Sequence, residues 1–186
     1  MHKVMVLQVS TRPSRASDPV AKWAIERVRA HAKLEPVFVD LREEALPMFD
    51  EPEHPRFGRY VHAHTLRWAA KVKAADAFWL VTPEYNFGMP PSLLNALTYL
   101  SAEWAYKPAA FLSYGGVSAG TRSQQHAKSV LTSLKVMPIP EAVSVPMFTQ
   151  HVKDGVFAPG DVQEKAATLV LDELGKWAAA LATLRS

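Results

Sequence analysis

The sequence predicts a doubly wound α/β domain built on a five-stranded parallel sheet of order 2-1-3-4-5, with helices on both faces. Five short apolar runs alternate with longer amphipathic stretches, the pattern of parallel strands joined by right-handed helical crossovers. Most of the runs are continuously apolar rather than alternating, as strands covered on both faces are. Five such units in 186 residues also leave too little chain for the usual six-stranded dinucleotide-binding arrangement.

The strand runs are Lys3 to Val9, Pro36 to Asp40, Ala77 to Thr82, Pro108 to Ser113 and Ala142 to Val145. The first helix is expected over Pro19 to Lys33, with Asp18 as its cap and Pro19 at the first helical position, where an N–H would be unpaired anyway. Helices follow over roughly Gly58 to Ala74, Pro91 to Ala102 and Thr121 to Lys135. The last spans about Asp161 to Leu184, capped by Asp161, with Val170, Leu174, Trp177, Leu181 and Leu184 stepping by four and three along one face. Trp79 fits the central strand, whereas Trp104 suits either core or interface. Met147 to Pro159 fits a small hairpin or a loop. Leu41 to Phe57 is the longest irregular piece, and such loops in compact domains are usually functional or partner-contacting.

Composition narrows the classes. The length suits one domain, residues 1–186, and 48% apolar with 21% charged residues is ordinary globular composition. A net charge of +3, spread among acids, argues against nucleic acid as the main partner. No apolar run is long enough to span a membrane, and the start is too soon polar for a signal peptide. Without cysteine there is no disulfide, thiol catalysis or cysteine-ligated metal, and a cytoplasmic protein is the default expectation. Of the 7 histidines, His62 and His64 lie two apart on an expected helix and so point to different faces; no metal is expected. No G-x-S-x-G elbow is present for a serine hydrolase.

In open sheets of this order ligands sit beyond the carboxyl ends of the strands, where strands one and three diverge. The loops after Val9, Thr82 and Ser113 should therefore converge. The first, "STRPSRASDP", offers hydroxyls at Ser10, Thr11, Ser14 and Ser17 and cations at Arg12 and Arg15 beside a helix start, which suits a phosphate. It suits a polar surface turn equally well, and the phosphate reading requires Asp18 to point outward and Ser17 inward. The second, "TPEYNFGMPPS", crowds Pro83, Glu84, Tyr85, Asn86 and Phe87 at the end of the central strand, where Pro83 disfavours further pairing. Its exposed backbone can meet a flat heterocycle edge-on. The third, "SYGGVSAGT", allows close backbone approach at Gly115 and Gly116.

Together, "TPEYN" after an apolar strand, "GMPPSLLNAL" following it and "SYGG" after the next strand resemble the NAD(P)H-dependent FMN reductases. That flavodoxin-like family includes flavin, quinone, azo and chromate reductases, and the resemblance runs from the "STR" loop to about Pro146. It implies that Ser10, Thr11, Arg12 and Ser17 hold the FMN phosphate. It implies that Pro83, Glu84, Tyr85 and Asn86 line the isoalloxazine, largely through backbone, and that Ser113, Tyr114, Gly115 and Gly116 close its other side. The chain departs from the family pattern at Val9, where glycine is common, at Asp18, where asparagine is common, and in "SAG", which keeps only Gly120. NADPH or NADH is the implied hydride donor, with a small-molecule acceptor, and no catalytic acid or base is nominated. The family usually dimerises, so the helix from Pro91 and the Leu41 to Phe57 loop are expected to form a homodimer, or dimers that pair into a tetramer. An electron carrier and a cofactor-free regulator of the same fold are the alternatives; a calculated pI near 9.2 argues against the carrier, since carriers of this fold are typically acidic.

Overall fold

The computed structural model describes residues 1–185; Ser186, the last residue of the one-domain reading, lies outside them. Five parallel strands form one sheet in the order β2-β1-β3-β4-β5: β1 (His2–Gln8), β2 (Leu34–Asp40), β3 (Ala77–Pro83), β4 (Pro108–Tyr114) and β5 (Met137–Val145). This is the expected flavodoxin-like arrangement. The helices are α1 (Asp18–Ala30), α2 (Leu41–Glu44), α3 (Ala63–Ala74), α4 (Pro91–Thr98), α5 (Thr121–Ser133) and α6 (Asp161–Ala182).

Two apolar clusters fill the space on either side of the sheet. α1 and α6 pack on one face through Val20, Ala24, Val28, Val170 and Leu174, against Val4, Val6, Trp79 and Leu112. α3, α4 and α5 pack on the other, where Trp68, Leu93, Leu97 and Leu131 meet Met5, Leu7, Phe78, Leu80 and Phe111. Every residue of β3 and β4 is buried, which is why these central strands read as unbroken apolar runs. Trp104 belongs to the core, tilted against Phe78 at 4.9 Å between ring centroids.

The departures from expectation have local causes. β5 begins five residues before Ala142, because Pro138 and Pro140 interrupt the apolar pattern yet are tolerated on a strand with only one neighbour. β2, the other border strand, likewise starts earlier and contains Pro36. Pro83 ends β3 but stays in register with Tyr114, against the expectation that it would leave the sheet. Asp18 and Asp161 are first helical residues rather than caps; Ser17 and Gly160 hold the cap positions. α4 stops at Thr98, four residues short of the expected end, while Leu100 still reaches the core. α3 starts at Ala63, not Gly58, because the Glu51 carboxylate takes the N–H groups of Val61 and His62 at 2.9 and 3.1 Å and holds that stretch as loop. On α6 the buried stripe is Ala167, Val170, Leu171, Leu174 and Ala178; Trp177 is half-buried and Leu184 lies exposed beyond the helix. Met147 to Pro159 contains a short 3-10 turn and a small antiparallel hairpin, Val152–Lys153 with Val156–Phe157.

His62 precedes α3, and its ring stacks on His64 at 5.1 Å rather than facing away. Both rings point to Asp50, His64 through a 3.0 Å hydrogen bond to its carboxylate. Among the described residues no three or more histidine, aspartate or glutamate side chains gather as metal ligands. No described helix is long and apolar enough to cross a membrane.

Candidate functional site

The register of β1, β3 and β4 brings the three expected loops to one end of the sheet. Side chains stitch them together. Ser10 and Tyr85 share a 2.7 Å hydroxyl hydrogen bond between the first and second loops. Ser92, at the start of α4, donates to the Val9 carbonyl at 2.7 Å. Thr82 and Ser123 pair at 3.0 Å, and Gln124 donates to Ser113 Oγ at 2.6 Å. Burial raises the Tyr114 pKa well above the ordinary phenol value, so its hydroxyl stays protonated beside Ser17 and Ser10.

The first loop is organised by Arg15, not Arg12. The Arg15 guanidinium meets Asp40 with two hydrogen bonds of 2.6 and 2.5 Å, donates to the Ser10 carbonyl at 3.0 Å, and gives Nε to Asp18 at 2.6 Å. Both side chains of the Arg15–Asp40 pair are nearly buried, at 4% and 5% exposure. Arg15 is thus consumed inside the loop and Arg12 is the exposed cation. Asp18 is tied to the buried Gln8 and Arg15 side chains with 58% of its own side chain exposed, while Ser17 is fully buried. Partial burial pulls the Asp18 pKa upward, but hydrogen bonds from Gln8 and Arg15 outweigh it and hold the group below the usual carboxylate range. The backbone N–H groups of Thr11, Arg12, Ser14, Ala16 and Ser17 meet no acceptor among the described residues, which leaves a row of donors at the start of α1.

The second loop is a two-residue hairpin. Tyr85 and Gly88 exchange backbone hydrogen bonds of 3.0 and 2.9 Å, and Asn86 and Phe87 between them both have positive φ, 48° and 64°. That is the geometry of a type I′ turn, and it aims the N–H groups of Asn86 and Phe87, which meet no acceptor among the described residues, outward. The Phe87 ring is 67% exposed, under the Arg122 guanidinium at 4.3 Å.

The third loop folds back on the strand it leaves. Gly115 N–H reaches the Val145 carbonyl, and Phe148 and Met147 donate to Gly115 and Gly116 at 3.0 and 2.9 Å. Gly120 closes the loop at φ 77°, with Tyr114 O only 2.9 Å from where a Cβ would lie. The N–H groups of Gly116 and Val117 are free among the described residues.

Ser10, Ser17, Tyr85 and Tyr114 are therefore brought together directly, with Pro83, Asn86, Gly115 and Gly116 supplying backbone around them, whereas Ser113 is buried with its hydroxyl donating to the Ala119 carbonyl at 2.7 Å. Thr11 and Arg12 sit at the exposed rim. Sequence reasoning missed Asp40, Gln8, Gln124 and Arg122. Only Asp40 carried a usable signal: it ends the strand that the 2-1-3-4-5 order sets beside the first loop. Glu84, which had no expected side-chain partner, has three contacts, to Ser118 Oγ and to the N–H and guanidinium of Arg122.

A family profile described as NADPH-dependent FMN reductase matches residues 2–150. The chain is 35% identical over 159 residues to an NAD(P)H-dependent FMN reductase of Schizosaccharomyces pombe, covering 84% of this chain and 79% of that one. It is 30% identical over 172 residues to an NADPH azoreductase of a Bacillus strain, covering 91% and 87%. Among solved structures it is similar in fold to the flavoenzyme NAD(P)H:(acceptor) oxidoreductase FerB of Paracoccus denitrificans, with a TM-score of 0.74 at 23% identity over 97% of this chain and 98% of that one.

Proposed function

We propose, for a chain that belongs to the NADPH-dependent FMN reductase family, that it binds FMN without a covalent link and passes reducing equivalents from NADPH or NADH to a small electron-poor acceptor such as a free flavin or a quinone. Bound FMN would supply the redox chemistry, taking two electrons from the nicotinamide and giving them to the acceptor. The protein's part is to bind, orient and shield.

The N–H groups of Thr11, Arg12, Ser14, Ala16 and Ser17, which meet no acceptor among the described residues, carry the reading. A phosphate fits there: the backbone supplies the donors, Ser10, Thr11 and Ser17 supply hydroxyls, and Arg12 supplies the free positive charge. The amides of Asn86, Phe87, Gly116 and Val117, which meet no acceptor among the described residues, would meet the polar edge of a flat ring, with Pro83, Glu84, Tyr85, Ser113, Tyr114 and Gly115 as its surround. No side chain is asked to move a proton. A site open over one ring face suits donor and acceptor binding in turn, with ping-pong kinetics. We also read residues 1–186 as one domain and place it in the cytosol, where NADPH and NADH are maintained.

The purified protein is expected to be yellow, or to become so with FMN, and to oxidise NADPH steadily with a quinone present. Colourless protein that FMN does not reconstitute would end the reading; an electron carrier would bind FMN but show almost no such turnover. Arg12→Ala is expected to raise the FMN dissociation constant roughly tenfold by removing a charge-assisted phosphate contact. An unchanged constant in a fluorescence titration would mean that the phosphate lies elsewhere.

The reading includes a homodimer, with pairing to a tetramer left to the same measurement. The Leu41 to Phe57 loop is fastened to α4: Asn95 accepts from Phe49 N–H at 2.9 Å and donates to the Pro47 carbonyl at 2.6 Å, and Tyr99 reaches Asp50 at 2.9 Å. Met48 and Leu94 are exposed on these elements, at 77% and 43%. Light scattering at micromolar concentration should give a dimer that Leu94→Glu dissociates. A monomer with flavin bound would rule the dimer out.

A further inference from the structure

Glu84 stands at the rim of the site with only 9% of its side chain exposed, and its contacts leave the loop it stands on. Its Oε2 accepts from Ser118 Oγ at 3.2 Å, in the third loop, and from the Arg122 N–H at 3.1 Å, in the first turn of α5. Its Oε1 takes the Arg122 guanidinium at 2.5 Å. α5 has no cap of its own, since Gly120 holds the cap position. A carboxylate from another loop therefore fills the place a cap side chain would take, at the positive end of the helix. Burial alone would raise the Glu84 pKa; the Arg122 side chain and N–H and the Ser118 hydroxyl outweigh it and keep the group ionised.

Arg122 completes the arrangement. Held by Glu84, its guanidinium lies over the Phe87 ring at 4.3 Å. Phe87 has φ 64°, a left-handed conformation that is unfavourable for a bulky L-residue, and the cation–π contact offsets part of that cost. One ion pair thus fastens the hairpin of the second loop to the third loop and to α5.

We propose that Glu84 is a positioning residue, which sets the separation of the two loops flanking the flavin ring and cancels the charge of Arg122 beside it. This rests on the FMN reading above. It assigns Glu84 a role through its side chain rather than through backbone contact to the ring. The charge balance has a consequence that a purely structural tie would not have. Positive charge near a flavin favours its reduced, anionic form, and negative charge disfavours it. Neutralising one partner at a time should move the flavin potential in opposite directions.

The test uses Glu84→Gln, Arg122→Gln and the double variant, each titrated with FMN beside the wild type and each equilibrated with a reference dye for the potential. Glu84→Gln is expected to weaken FMN binding roughly tenfold, through the lost charge-assisted bonds, and to raise the potential. Arg122→Gln, a half-exposed side chain whose loss should leave folding intact, is expected to lower it, and the double variant to return near the wild type. Shifts of the same sign, or a Glu84→Gln protein with wild-type affinity and potential, would overturn the positioning role while leaving the FMN reading in place. A wild-type protein that binds no FMN would overturn both.

Discussion

Asp40→Ala is expected to destabilise the protein by about 3–5 kcal/mol, measured by urea or guanidinium unfolding, and to abolish measurable FMN binding. The Arg15–Asp40 pair is almost sealed from water. Removing the carboxylate leaves a buried guanidinium with the Ser10 carbonyl and the partly exposed Asp18 as its remaining partners. Asp40 also accepts from Arg42 N–H at 2.8 Å, capping α2, so a second contact goes with it. The loss should persist in high salt, because buried pairs are screened far less than surface ones. Replacing both partners together, Arg15→Met with Asp40→Leu, should recover much of the stability, since neither charge is then buried, but not the FMN affinity, since the Ser10 to Ser17 loop loses its template. A single Asp40→Ala cost below about 1 kcal/mol would show that water reaches the pair.

Gly120→Ala is expected to cost about 2–4 kcal/mol and to weaken FMN binding in parallel. At φ 77° an alanine pays the left-handed penalty. Its Cβ would also sit 2.9 Å from Tyr114 O and 3.1 Å from Tyr114 N, backbone atoms at the end of a central strand that has strands on both sides. Relief requires the third loop to move away from β4, and the donors at Gly116 and Val117 move with it. Gly116→Ala is the internal control: nothing lies within 4 Å of a Cβ there, so the stability of the apoprotein should change by less than about 0.5 kcal/mol. Equal effects at the two positions would refute the argument from contact.

The central strands were legible because burial on both faces favours apolar residues, so β1, β3 and β4 read as apolar runs, with the buried polar residues Gln8, Thr82 and Ser113 near their carboxyl ends. The border strands were clipped because exposure lets polar residues and proline in: β2 opens on Leu34–Glu35–Pro36, and β5 on Met137–Pro138–Ile139–Pro140. The place of the site followed from topology, since strand order alone says which loops meet. Its pairings did not. Arg15 finds Asp40 across 25 residues and Glu84 finds Arg122 across 38, and both depend on how neighbouring loops pack after the sheet has formed. Two arginines in one loop look alike in sequence; only Asp40's approach separates the structural one from the exposed one.

Both borders of the sheet carry proline, Pro36 on one side and Pro138 and Pro140 on the other. An added strand needs an unbroken row of donors and acceptors, and proline removes donors and stiffens the backbone where they would be wanted. The sheet is therefore a poor template for ribbon-like growth, although its interior strands are rich in residues that stack readily into fibrils. Copies of this chain that meet at high concentration are steered away from edge-to-edge polymerisation, and contact falls to the helical and loop surfaces.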